Sequence, residues 1–188
     1  MAAKRKAPKT TTRSSRTLQS QQRSGIQTIS PCLWFDSQAE EAAKFYVSIF
    51  KKGKITAITK YPAVGQEIHG RAPGSVLTVE FVLNGVPFTA LNGGPLFKFN
   101  EAISLQVLCE TQDEIDYYWE RLGEGGDPKA RQCGWLKDKY GLSWQVAPTG
   151  MAKMLKDPSS KGTQRAFAAM MEMKKLDLAA LKAAFKGK

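Results

Sequence analysis

The sequence is poor in the residues on which several large classes of protein depend. Three cysteines, Cys32, Cys109 and Cys133, are odd in number and form no Cys-x-x-Cys pair. Neither a disulfide framework nor a zinc knuckle is therefore expected, and a reducing, cytoplasmic setting follows. A single histidine, His69, leaves little imidazole for metal or acid–base chemistry. No run approaches the roughly 20 apolar residues of a membrane span, and residues 1–25 hold no apolar stretch like that of a secretory signal. No membrane partner is expected.

Positive charge is plentiful but unevenly placed. The formal net charge is +11, yet Lys4, Arg5, Lys6, Lys9, Arg13, Arg16 and Arg23 sit in residues 1–25 with no acid among them. Without those seven, 21 basic residues face 17 acidic ones. The first 25 residues are rich in Ser, Thr and Gln and nearly free of large apolar side chains, the composition of a disordered tail. A solvated tail, a sequence-blind electrostatic anchor for nucleic acid and an organelle transit segment all share that composition. Nucleic acid enters the expectations only through this tail.

The rest of the chain carries an internal repeat. A shift of 74 residues lays Ile103–Trp119 over Ile29–Phe45 without a gap, matching Ser30 with Ser104, Asp36 with Glu110, Gln38 with Gln112 and Glu40 with Glu114. Each copy is a short apolar strand followed by a helix with a Ser/Thr-x-x-Glu start, Ser37 with Glu40 and Thr111 with Glu114, which predicts two capping boxes. Ala39, Ala42, Ala43, Tyr46, Ile49 and Phe50 recur at helical spacing, as do Ile115, Tyr118, Trp119 and Leu122. Strands follow at Ile55–Tyr61, Val76–Leu83 and Val86–Leu91, the last two joined by the hairpin dipeptide Asn84-Gly85. The second half repeats this more weakly, with a strand near Arg131–Lys137, a turn at Asp138–Gly141 and a strand from Leu142 to Ala147.

These elements predict an α+β fold of two βαβββ modules forming a curved, incomplete barrel-like sheet around a pocket. The organisation is a tail over 1–25, a domain over 26–149 with modules at about 26–95 and 100–149, and a helical extension over 150–188. Helices are expected at Met151–Leu155, Ala166–Met173 and Leu176–Phe185. The Met-rich stretch Met170–Met173 suits core packing, a dimer contact or an adaptable binding strip. A homodimer through the C-terminal helices is expected.

The stretches Ile29–Asp36, Ala39–Tyr46, Ala90–Pro95, Cys133–Gln145 and Met171–Asp177 together resemble the PhnB-like family. This family, once labelled 3-demethylubiquinone-9 3-methyltransferases, lies in the vicinal oxygen chelate superfamily of glyoxalases, extradiol dioxygenases and drug-sequestering resistance proteins. The resemblance covers about residues 26–186. It implies the paired-module fold and, in metal-dependent relatives, four ligand positions that fall here at Ser30, Glu80, Ser104 and Gln145. Only Glu80 is a strong ligand type, so neither a divalent metal nor another cofactor is expected. A Gly-rich strand-to-helix turn of the nucleotide-binding kind is also missing. Gly123–Gly126 follows a helix, and Asn92–Pro95 leads into no capped helix.

The chemistry that remains is a polar cluster and aromatic walls. If Glu80 faces the pocket with Val76, Thr78 and Val82, it is a candidate acid or base; if it faces solvent it does nothing. Trp34, Phe88, Phe97, Trp135 and Trp144 offer either pocket walls or plain core. Asn92 and the glycines after it permit close approach of a ligand or a simple chain reversal. Cys133 has no histidine beside it, favouring a small buried residue over a nucleophile, and His69 suits a surface loop better than an acid–base role. The leading expectation is a metal-independent protein binding a small aromatic or apolar molecule. A lyase, isomerase or transferase using Glu80 is the alternative.

Overall fold

The computed structural model describes residues 29–188, so the basic tail lies outside the described residues. The first module runs β1 (Cys32–Phe35), α1 (Ala39–Ile49), β2 (Lys54–Lys60), the short α2 (Gln66–His69), β3 (Val76–Leu83) and β4 (Val86–Asn92). Its sheet has the order β1-β4-β3-β2, with β1 parallel to β4 and the other pairs antiparallel. The second module runs β5 (Ser104–Cys109), α3 (Gln112–Gly123), β6 (Trp135–Lys137) and β7 (Ser143–Pro148). Its sheet has the order β5-β7-β6, with β5 parallel to β7. The helices α4 (Met151–Met154), α5 (Lys161–Met171) and α6 (Leu178–Lys186) close the chain. The fold is α+β with no closed barrel.

Alternation decides the faces. Val79, Phe81 and Leu83 on β3 are buried under α1, together with Phe35 and Ala90 from neighbouring strands. Val107, Cys109, Trp144, Val146 and Leu136 form the matching face under α3. The two faces join in one apolar core. Burial pushes the Cys109 thiol up to about 11, so it packs as a neutral apolar group. At the hairpin, Asn84 and Gly85 both take positive φ, 49° and 90°, as a type I′ turn requires.

Two local expectations need correction. Thr111 and Glu114 form a reciprocal capping box, but Ser37 and Glu40 do not. The first helix is capped at Gln38 without a side-chain bond of its own, because the buried Asn92 side chain accepts from the Ala39 amide at 2.8 Å. Ile29 and Ser30 are exposed and precede the first strand.

The second module has three strands where βαβββ was expected. The position equivalent to β2 holds a 3-10 turn at Pro128–Ala130, where proline offers no amide for a ladder. Cys133 and Gly134 follow at φ 50° and 82°. Their amides donate to the carbonyls of Met173 and Lys174, both at 2.8 Å, so the C-terminal segment takes hydrogen bonds that a fourth strand would have used. Leu176 is buried beside this contact, and the Gln112 side chain bonds the backbone of both Leu176 and Leu178.

One buried polar group joins the modules. Asp138, 2% exposed, accepts at Oδ2 from Tyr46 Oη on α1 and Trp144 Nε1 on β7, both at 2.8 Å. Its Oδ1 accepts from the Tyr140 and Leu142 amides at 2.9 and 3.1 Å. Desolvation raises the carboxyl above its ordinary range despite these four donors, and it raises the Tyr46 phenol more strongly. In Asp138→Asn, Tyr46 can turn to accept from the new amide, but the Trp144 indole is left without an acceptor. A loss of about 1–3 kcal/mol is expected in denaturant unfolding. A raised folded pKa means that ionising Asp138 costs stability as pH rises from the unfolded carboxyl value through the folded one. The wild-type advantage over Asp138→Asn is therefore largest on the acid side of that window and narrows above it. Two parallel stability–pH curves would refute this role for the carboxyl.

Candidate functional site

The aromatic residues that the sequence suggested for one pocket fall into three clefts. Trp34 and Phe97 line a cleft of about 410 Å³ with Phe35, Phe99, Tyr140 and three lysines, Lys98, Lys137 and Lys139. Phe88 and Trp144 are core residues whose edges reach a second cleft of about 370 Å³ beside β5. Trp135 lines a third of about 440 Å³ with Cys133 and Ser143.

The first cleft lies where the two modules meet. The chain leaves β4 through Gly93 and Gly94, and the linker Pro95–Phe99 forms one wall. The β6–β7 turn, Lys137–Gly141, forms the other. Trp34 and Phe97 meet edge to face with centroids 4.9 Å apart, and Phe35 makes similar contacts with Phe99 and Tyr140 at 5.3 and 5.8 Å. Of the glycines after Asn92, Gly93 is explained by Trp34 and Gly94 by its φ of 100°. The Trp34 indole N–H donates to the Gly94 carbonyl at 2.8 Å, and a Cβ on Gly93 would lie 2.2 Å from the ring. The close approach is made by the protein's own side chain.

Charges around this cleft are mostly paired. Arg71 donates to the Asp36 carbonyl at 2.6 Å and to its carboxylate at 2.9 Å. Lys137 pairs with Glu101 at 2.5 Å, and Lys139 with Glu41 at 3.3 Å. Tyr140 Oη donates to Glu41 at 2.7 Å; that bond and Lys139 hold the Glu41 carboxyl below its ordinary range, while burial and then Glu41 push the Tyr140 phenol up. Lys98 has no carboxylate partner among the described residues.

The polar cluster suggested by the sequence is only partly assembled. Gln145 Nε2 donates to Ser104 Oγ at 2.8 Å, and Gln106 donates to Gln145 Oε1 at 3.2 Å, all on the face of the second sheet away from the core. Ser30 is exposed ahead of β1. Glu80 shares its face with Val76, Thr78 and Val82 as expected, but it is exposed, faces away from the core and lines none of these clefts. These residues do not fit a divalent ion. Ser104 and Gln145 are engaged with each other, Glu80 is the one carboxylate, and no three His, Cys, Asp or Glu side chains come together among the described residues.

Cys133 is partly exposed, where a buried residue was expected, with its sulfur 3.8 Å from that of Met171. His69 lies in α2, packs against Tyr61 with ring centroids 4.5 Å apart and planes tilted by 33°, and accepts from the Arg71 amide. Lys98, Lys139 and Tyr140 were missed as site residues. The alternation of aromatic and basic residues in Phe97-Lys98-Phe99 was the available signal.

The sequence pattern of the 3-demethylubiquinone-9 3-methyltransferase family matches residues 27–147. The chain belongs to that family. Its fold is that of the vicinal oxygen chelate superfamily, in which the PhnB-like proteins lie. The PhnB protein from Bacillus cereus, which carries the same methyltransferase name, is 36% identical at a TM-score of 0.55, over 65% of this chain and 100% of its own. The Pseudomonas aeruginosa protein PA1353 is 19% identical at a TM-score of 0.49, over 64% of this chain and 96% of its own. No curated protein matches the chain. The residues do not fit the common methyl-donor nucleotide site: the turns from β1 into α1 and from β5 into α3 read Asp36-Ser37-Gln38 and Glu110-Thr111, without a glycine.

Gly93→Ala tests the packing under the cleft. The added methyl must displace Trp34 from the Gly94 carbonyl, at a cost of about 1–3 kcal/mol from overpacking. The near-ultraviolet circular dichroism of the tryptophans should change with the midpoint; an unaltered spectrum and midpoint would contradict the geometry.

Proposed function

We propose that this protein is a metal-independent binder of a small aromatic or apolar molecule, and that the ligand occupies the cleft of Trp34, Phe97, Phe99 and Tyr140. One observation carries the reading: four aromatic side chains from β1, the inter-module linker and the β6–β7 turn converge on a space of about 410 Å³. That volume suits a small organic ligand, and aromatic walls with a few polar groups are the usual makeup of such sites. The donor chemistry of Ser30, Glu80, Ser104 and Gln145 favours metal independence, since hydroxyls and an amide are weak partners for a divalent ion. The exposed position of Glu80 removes the main support for an acid–base enzyme in this cleft.

The protein acts as a homodimer in a reducing, cytoplasmic setting. Support for the dimer comes from Phe167, Met171 and Phe185, large apolar side chains left exposed on or beside the C-terminal helices. Support for the setting comes from three cysteines that form no disulfide. No helix among the described residues is long and apolar enough to cross a membrane.

Thermal unfolding of metal-stripped protein against divalent ions and a panel of aromatic and quinone-like compounds tests the reading, because only a ligand preferring the folded state raises the midpoint. A shift is expected with organic compounds, is expected to fall at least about tenfold in apparent affinity in Trp34→Leu, and is expected to survive Glu80→Gln. A shift confined to divalent ions would overturn metal independence. Loss of the organic shift in Glu80→Gln alone would move the site to the outer sheet face.

A further inference from the structure

The lining of the cleft also bears on the kind of molecule that fits it, given the reading that a small molecule binds there. Arg71 neutralises Asp36, Glu101 neutralises Lys137, and Glu41 neutralises Lys139. Lys98 is left over, an exposed cation between Phe97 and Phe99 in the linker wall with no carboxylate partner among the described residues. A cation held beside flat apolar walls favours a ligand that buries a ring and presents one negative charge at its edge. A neutral ligand gains nothing from that charge, which water already solvates. A ligand with several charges meets one unpaired cation and three ion pairs that it would have to break.

We propose that the cleft selects planar aromatic molecules bearing a single anionic group, and that Lys98 is the residue that recognises the charge. The ring lies in the corner between Trp34 and Phe97, which pack edge to face at 4.9 Å with their planes 75° apart, so that a planar ligand can lie on the face of one and meet the other at its side. Lys98 is then a specificity-determining residue, with no part in holding the ring. Its long flexible stem suits a carboxylate, sulfonate or phosphate equally, so the selection is for charge and shape.

Calorimetric titration of the full chain with 2-naphthoate and with its neutral isostere 2-naphthamide tests this. The acid is expected to bind about tenfold or more tightly than the amide, with the preference shrinking as salt rises. Lys98→Met should abolish the preference by weakening the acid and leaving the amide unchanged, and Lys98→Arg should retain it. Phe97→Ala should weaken both probes. Equal binding of acid and amide, or a preference that survives Lys98→Met, overturns the anionic class. In that outcome the cleft itself still stands if Phe97→Ala weakens both compounds. If neither probe binds the wild-type chain, the aromatic cleft fails as the site and the anionic class fails with it.

Discussion

The arrangement of the two modules depends on a carboxylate that has been taken out of water. Burying Asp138 carries a desolvation cost, which is why its carboxyl is raised even with four donors directed at it. Those donors come from α1, from β7 and from the turn that carries Asp138 itself. Each would be a buried unpaired group without it. The carboxylate therefore fixes where the first helix of one module meets the last hairpin of the other. Because Tyr140 and Lys139 follow on the same turn, it also fixes one wall of the cleft. Its contribution is geometric specificity, obtained at an energetic cost in one place and returned as paired donors in three.

What could be read from the sequence was local or periodic. The 74-residue repeat placed both strand–helix units, and short motifs placed the Thr111 box and the Asn84-Gly85 hairpin, since each of these depends on residues within a few positions. The Ser37 box failed for a non-local reason: Asn92, 53 residues away, reaches the first turn of α1 and satisfies its amide. The missing strand of the second module failed similarly. Pro128 weakened it locally, but the amides of Cys133 and Gly134 were committed to Met173 and Lys174, forty residues downstream. Nothing in the window around Arg131–Lys137 contains that information.

The site followed the same division. Alternation correctly put Glu80 with Thr78 and Val82, but a period of two assigns a residue to a face and says nothing about what covers it. Trp34, Phe88, Trp135 and Trp144 were equally good wall candidates by composition. They separate because β1, β4, β6 and β7 belong to two sheets with different neighbours. Trp34 remains at a cleft because Gly93 has no side chain to hold its ring away from β4, and the Gly94 carbonyl accepts from its indole N–H. Trp144 is drawn into the core by its bond to Asp138.

The position of the cleft gives it a property that a pocket within one module would lack. Its walls are the β1 end and linker on one side and the β6–β7 turn on the other, so a molecule of the proposed kind would touch both modules at once. A ligand that favours this arrangement adds its binding free energy to the contact that Asp138 secures through Tyr46 and Trp144. The linker is short, running from Gly93 to Ile103, and supplies Phe97 and Phe99, while Trp34 comes from β1 and Tyr140 from the β6–β7 turn. Binding of the proposed ligand and module association would therefore draw on the same few residues. A side chain that loosens the turn would weaken ligand affinity without touching the ligand, and a ligand would stiffen a junction already held by the buried carboxylate, the surrounding apolar core and the bonds of Tyr140 and Lys139 to Glu41.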